Sequence, residues 1–401
     1  MVTIIRNTGL DDAATSGQTS TVCEPTVAAA GRQVFFTGNW FASRSGTSGA
    51  SWTHVNPFTA FAAASGGFCC DQVALYDPSR KIWIWILQYS AAGGSNIFRI
   101  AVAKSSNGPW KYWGFAPAQL SPAYSNLWFD YPDAALSANH LFVTFNVFNA
   151  ADAWQRAVVF KFPLAQLAEG LGLTYDWWTT TGHGSLRLTQ GASTEMNLGA
   201  HNGSRTLRVW RWPDGPGNVT FFDVTTAAWS AGPYAAGGPG GNNWLARIDS
   251  RITGGWRRGR EAGFLWTASP SGGKPRPYIK AAVVDTTSGT LTGQPDIWSN
   301  TGTWAYPAAA VSSASAVGFT AFYGSGQRHP AHVVGARRQD GTWDSALTAT
   351  STHGPADRKW GDYLSIRPHP ARAGSWAASG YTLQGGAERQ HIEPRYVHFT
   401  A

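Results

Sequence analysis

Short apolar runs recur along the chain in pairs, each pair split by a turn of Gly, Asn, Asp, Ser or Pro. The first pair is Glu24-Pro-Thr-Val-Ala-Ala-Ala and Gln33-Val-Phe-Phe-Thr-Gly, folded about Gly31; the second is Asp71-Gln-Val-Ala-Leu-Tyr and Ile82-Trp-Ile-Trp-Ile-Leu, folded about Asp77-Pro-Ser-Arg. Runs this short, rich in Val, Ile and aromatics and bounded by turn residues, predict β-strands in hairpins rather than helices. Comparable pairs begin at Tyr131, Met196, Asp249, Tyr306 and Asp362. Third strands are legible at Phe98-Arg-Ile-Ala-Val-Ala, Ala157-Val-Val-Phe-Lys-Phe, Tyr278-Ile-Lys-Ala-Ala-Val-Val and Ala331-His-Val-Val-Gly-Ala, and one short helix is expected near Pro163-Leu-Ala-Gln-Leu-Ala-Glu.

Similar units at a period near that of propeller blades, with loop insertions, predict an all-β fold: a single seven-bladed β-propeller spanning 1–401. Val2-Thr-Ile-Ile and Arg395-Tyr-Val-His-Phe are both strand-like and are expected to close the same blade, since a propeller must not leave an open edge. The competing architecture, a β-sandwich with a second β domain, fits the repetition less well.

This architecture locates the candidate chemistry. The first strand of each blade lines the axis, so its opening residues converge at one mouth of a funnel. The catalytic candidates there are Asp71, Tyr131, Glu195, Tyr306 and Asp362. Glu24, Cys69, Cys70, Gln72, Asn197 and His201 are candidate ligand contacts, as are Arg247, Asp249, Arg251, Trp304, Lys359, Trp360 and Tyr363. A ring of carboxylates, cations and aromatics is a binding-site candidate by default. The same carboxylates are equally suited to bonding backbone amides of the neighbouring blade.

Composition narrows the partners. Only 13% of the residues are charged, and the net charge is +8 without any long basic run. Nucleic-acid recognition wants a basic stripe on a known motif, and neither is present, so no nucleic-acid partner is expected. No apolar run is long enough to span a bilayer, so no membrane association is expected either. The positive balance fits a soluble basic surface first and an acidic ligand, such as a uronate-containing glycan, second. Cys69 and Cys70 are adjacent, which leaves open a vicinal disulfide, two buried thiols, or a cross-blade pair with Cys23. No zinc-type spacing of His or Cys occurs. No cofactor is expected, although an axial channel has room for a structural cation. A monomer is expected.

Glu24-Pro-Thr-Val, Gly67-Phe-Cys-Cys-Asp-Gln-Val, Trp360-Gly-Asp-Tyr and Glu393-Pro-Arg-Tyr resemble segments of secreted sialidase-like β-propeller proteins of bacteria and fungi, most of unassigned function. The resemblance runs over nearly the whole chain and implies a secreted propeller. The Asp-box of true sialidases is missing; Gln339-Asp-Gly-Thr-Trp is a partial echo, and no sialidase arginine triad or nucleophile is carried over. The chain is also similar, more weakly, to fungal β-propeller pericyclases, hetero-Diels–Alderases among them.

Three function classes follow. An extracellular carbohydrate-active enzyme, hydrolase or lyase, would act on an acidic glycan: carboxylates would supply acid and base for hydrolysis. A lyase would use Arg247, Arg251 or Lys359 against a uronate, and Tyr131, Tyr306 or His201 as base. A pericyclase would need a shaped apolar cavity instead. A lectin-like propeller would repeat its binding residues in every blade, whereas these strand starts all differ.

Overall fold

The computed structural model describes residues 1–10, 19 and 22–401. They form seven four-stranded antiparallel sheets around one axis, the architecture expected of the sequence. The inner strands are Thr26–Ala30, Phe68–Asp77, Leu127–Leu136, Arg187–Leu188, Ile252–Arg258, Gly302–Val311 and Ile366–Pro368, one in each of blades I to VII. Blade VII is completed by Ser375–Leu383, Ile392–Thr400 and Thr3–Gly9. The N-terminal strand thus pairs with the C-terminal one, Thr3 opposite Thr400 and Gly9 opposite Arg395. The short helix is Leu164–Glu169, closed by Gly170 in the left-handed region.

Inner strands carry small or slender residues because the axis is crowded: Ala28 and Ala29, Ala134 and Ala135, and Ala308, Ala309 and Ala310 are all buried. Large aromatics fill the wedges between blades. Trp85 of blade II meets Phe35 of blade I edge-on at 5.0 Å, and Trp376 of blade VII donates Nε1 to the Ala310 carbonyl of blade VI at 3.1 Å. Burying a tryptophan at such a seam contributes roughly 4–6 kcal/mol gross.

Polar side chains stitch the seams as well. Ser365 Oγ accepts from the Val27 amide at 2.9 Å, joining blade VII to blade I, and Asp133 of blade III accepts from the Leu188 amide of blade IV at 2.9 Å.

Blade IV differs from the sequence expectation. Its inner strand is the two-residue Arg187–Leu188, and the run around Met196 belongs to its second strand, Glu195–His201. The inner strand was missed because it lacks an apolar run. Second strands lead away from the far end of the axis, so the displacement moves Glu195 to the opposite mouth.

Candidate functional site

Three blades carry the same device, within the inner strand or just before it. Glu24, Tyr131 and Tyr306 each precede a proline and each lie at positive φ, 46°, 58° and 54°. Proline disfavours that geometry in the residue before it, and a non-glycine left-handed residue costs of order 1–3 kcal/mol. The strain accompanies register breaks: pairing skips between Asp130 and Asp133 in blade III and between Ala305 and Ala308 in blade VI. Blade II has a wider break between Phe68 and Gln72, and it holds Cys69, Cys70 and Asp71. Cys69 and Cys70 form a vicinal disulfide there, while Cys23 is a buried free thiol in the core. Bulges of this kind re-aim side chains, here into the mouth of the funnel.

Carboxyl groups are what they gather. Glu24 and Asp71 are both buried, 4% and 7% exposed, and are hydrogen-bonded to each other. Asn39 Nδ2 donates to Glu24 Oε2 at 2.6 Å. Burial pushes Glu24 well above the usual carboxylate range, and Asp71 and Asp362 add to the rise. Burial, then the charges of Asp130 and Asp362, push Asp71 up to about 7. Two carboxyls in hydrogen-bond contact cannot both ionise, so this pair retains a proton near neutral pH. Asp130, whose Oδ1 accepts from Gln88 Nε2 at 2.7 Å, is also raised by burial.

Cations flank the carboxyls on one side. Lys359 Nζ lies 3.5 Å and Arg251 NH1 3.9 Å from Asp362 Oδ2. Arg251 is held by Asp249, with Nε 2.7 Å from Oδ2, and its guanidinium lies 4.4 Å over the Tyr131 ring. Tyr131 and Tyr363 meet edge-on at 5.8 Å. The buried hydroxyls of Tyr131, Tyr306 and Tyr363 lack a well-formed hydrogen bond; the Arg187 guanidinium lies beside the first and the Gly361 amide beside the second. Burial drives the Tyr131 phenol up to about 12, so it is neutral at physiological pH. The hollow between Asp249, Arg251, Tyr306 and Asp362 is only about 10 Å³. Asp362, Lys359, Arg251 and Asp249 therefore form the accessible rim, and the carboxyl pair lies behind them.

Below the mouth the axis is plugged. Arg187 NH1 pairs with Asp133 Oδ1 at 2.7 Å, and Arg367 lies just beyond, lining the same narrow space as Tyr363. Among the described residues no three His, Cys, Asp or Glu side chains converge as a metal-ligand set.

The structure brings together Glu24, Cys69, Cys70, Asp71, Tyr131, Asp249, Arg251, Tyr306, Lys359, Asp362 and Tyr363. It does not bring in the others. Glu195 lies at the opposite mouth, 3.7 Å from Arg211 and 3.8 Å from Arg257, because its strand is the second of its blade. Asn197 is fully buried inside that blade, donating to Glu195 at 3.1 Å. Gln72 is an inter-blade strut: Nε2 donates to the Gly38 and Phe41 carbonyls and Oε1 accepts from Trp85. Trp360 is a core residue stacked on Tyr381 at 4.9 Å, and Trp304 packs on Tyr323 at the seam between blades V and VI.

His201, pushed down to about 4 by burial, donates to the Ser250 carbonyl at 2.8 Å. It steadies the loop carrying Asp249 and Arg251 rather than facing a ligand. Arg247 is 57% exposed on the outer rim, 3.7 Å from Asp357, so Arg251 occupies the interior position foreseen for it.

Asp133, Arg187 and Arg367 were missed, and Asp130, next to Tyr131 at the same mouth, was not singled out as a site residue. The recurrence of Glu24-Pro25, Tyr131-Pro132 and Tyr306-Pro307 was the available signal, since it marks strand starts forced out of register.

Fold and site together define a seven-bladed β-propeller with a proton-holding carboxyl cluster at one axial mouth. No protein-family model matches the chain, and no curated protein matches it. Solved structures that do match include the arabinofuranosidase arb93a from Fusarium graminearum, at 9% identity over 95% of each chain and a TM-score of 0.48. Others are a protein of unknown function from Dyadobacter fermentans (8% identity, 100% of this chain and 99% of that one, TM-score 0.46) and a subtype N10 neuraminidase-like protein of A/little yellow-shouldered bat/Guatemala (10%, 80% and 96%, 0.44). Likeness at these identities extends to the propeller fold and no further.

Proposed function

We propose that the chain is a carbohydrate-active enzyme, a hydrolase of acidic glycans working at the carboxyl-lined axial mouth. The observation that carries this reading is the buried Glu24–Asp71 pair, which keeps a proton at neutral pH beside the more exposed Asp362. Hydrolysis of a glycosidic bond needs one protonated and one ionised carboxyl group on either side of it. Asp71, the less buried member of the pair, gives its proton to the leaving oxygen. Asp362 serves as the carboxylate that takes the proton of the attacking water or attacks the anomeric carbon. Arg251 and Lys359 stand on the rim where the carboxylate of an acidic sugar would dock, Arg251 with the planar fork suited to it.

A polar, carboxylate-rich mouth supports this reading over a pericyclase, which would use an apolar chamber. The shared X-Pro device occurs in three of the seven blades rather than in all of them, which supports it over a lectin with one site per blade. The Cys69–Cys70 disulfide supports residence in an oxidising compartment outside the cytosol.

The test is depolymerisation of uronate-containing polysaccharides, read as new reducing ends and, in parallel, as absorbance of the unsaturated sugar that a lyase would leave. Reducing ends without that absorbance, abolished in Asp71→Asn, are the expected result. Turnover undiminished in Asp71→Asn would overturn the assignment, and an unsaturated product would replace hydrolysis by elimination.

A further inference from the structure

The opposite mouth carries a second feature, independent of the carboxyl site. Where the inner strands end and turn outward they enclose a cavity of about 540 Å³. That volume lies in the range of sites for drug-sized molecules, whereas the hollow at the carboxyl mouth holds no more than a water. Leu75, Leu136, Val311 and Pro368, from blades II, III, VI and VII, form apolar walls, so the cavity spans the axis rather than one seam.

Its cations are arginines. Arg257 and Arg258 line one side, and Arg367 reaches in from the channel. The first two are already engaged: Arg257 lies 3.8 Å from Glu195 and donates to Thr286 Oγ1, and Arg258 lies 2.9 Å from Glu261. Asp77, the cavity's carboxylate, is spent on Arg80 at 3.0 Å. Arg367 is different. Asp133 is taken by Arg187 at 2.7 Å, and among the described residues no carboxylate forms an ion pair with Arg367. Its NH1 donates to the Ile366 carbonyl at 3.2 Å, its NH2 lies 3.5 Å from the Ala134 carbonyl, and its buried Nε has no partner. Burial pulls the guanidinium down to about 10; the charge of Asp133, which is shared with Arg187, offsets only part of that fall, and the Arg187 charge adds to it. A buried cation without a counter-ion is costly, and an anion delivered through the cavity would remove the cost.

We infer that this cavity is a ligand site for a small molecule with an apolar ring body and one anionic head, the body lying between Leu75, Leu136, Val311 and Pro368 and the head seated on Arg367. An aromatic carboxylate has this chemistry: a planar body for the walls and a two-oxygen head for the guanidinium fork. The site is separate from the carboxyl mouth, because the Asp133–Arg187 pair closes the axis between them.

Titration calorimetry with 2-naphthoate as the probe tests this. One molecule is expected to bind per chain. The uncharged 2-naphthalenemethanol should bind at least tenfold more weakly. Arg367→Met should weaken 2-naphthoate at least tenfold and leave the alcohol unaffected, without lowering the melting temperature, since no carboxylate is orphaned. Val311→Trp, which puts a large ring into the cavity from blade VI, should abolish binding of both probes. Arg251→Gln at the other mouth should change neither. No heat from 2-naphthoate at millimolar concentration would overturn the inference, as would binding unaffected by both Arg367→Met and Val311→Trp.

Discussion

Asp71→Asn should make the protein more heat-resistant at pH 8 while destroying its activity. The native environment raises the Asp71 carboxyl from 3.8 to about 7, so the folded state binds a proton more tightly than the unfolded chain does. The sign follows from linkage. The stabilising effect of that proton is fully present below pH 3.8 and is lost as pH rises through about 7. At about 1.36 kcal/mol per pH unit, the span from 3.8 to about 7 makes the loss up to about 4 kcal/mol by pH 8. Asparagine keeps the shape and can donate to Glu24 as the protonated acid does, but it never ionises.

For a chain of 401 residues, with an unfolding entropy near 2.1 cal/mol/K per residue, 4 kcal/mol corresponds to about 5 °C. Melting curves of both proteins by near-ultraviolet circular dichroism, from pH 4 to pH 8, give the difference directly. It should be close to zero or negative at pH 4 and grow to about 5 °C in favour of the variant at pH 8. A variant that melts at or below the wild-type temperature throughout would refute the idea that Asp71 is held protonated against its ordinary titration.

Arg187→Met should lower stability by about 3–5 kcal/mol, because Asp133 is left charged and buried; pairing it with Asp133→Asn should restore most of that, and a double-mutant cycle in urea reads both. Gly263→Ala should cost about 3 kcal/mol or more: a methyl group there would fall 1.9 Å from the ring of the fully buried Trp256, and the urea midpoint measures the loss. Arg247→Ala should move the melting temperature by less than about 1 °C, since the residue is exposed and makes only a 3.7 Å rim contact. Arg251→Gln removes the cation above Tyr131 and beside Asp362, and should raise KM for a uronate substrate about tenfold at little cost in stability.

Six of the seven inner strands were legible because their openings combine a polar or aromatic residue with a small apolar run, as at Asp71-Gln-Val-Ala-Leu and Tyr306-Pro-Ala-Ala-Ala. Blade IV was not, since Arg187–Leu188 gives hydrophobic patterning nothing to detect and the stronger signal lies one strand later, at Met196. The same slip accounts for placing Glu195 and Asn197 at the wrong mouth.

Other errors arise from side-chain direction at strand starts. Trp304 and Tyr306 stand two residues apart in blade VI, yet one lies in a seam and the other at the mouth, because the Tyr306-Pro307 bulge turns the chain between the paired residues Ala305 and Ala308. Alternation along a strand cannot be followed through a bulge that the sequence does not announce. The proton held between Glu24 and Asp71 was illegible for another reason: it depends on burial and on contacts between residues of two blades, neither of which a linear pattern carries.

The pairing of Thr3–Gly9 with Ile392–Thr400 also has a bearing on how the protein is made. Thr3–Gly9 has no partner until Ile392–Thr400 has been synthesised, so the ring stays open until then. At about 5–20 residues per second that interval is roughly 20–80 s. During it the growing chain exposes an unsatisfied sheet edge at each end, the kind of surface that recruits another chain. Nascent copies held together on one messenger are therefore at risk of exchanging first strands, and a chain that stops before Ile392 keeps that risk for its lifetime.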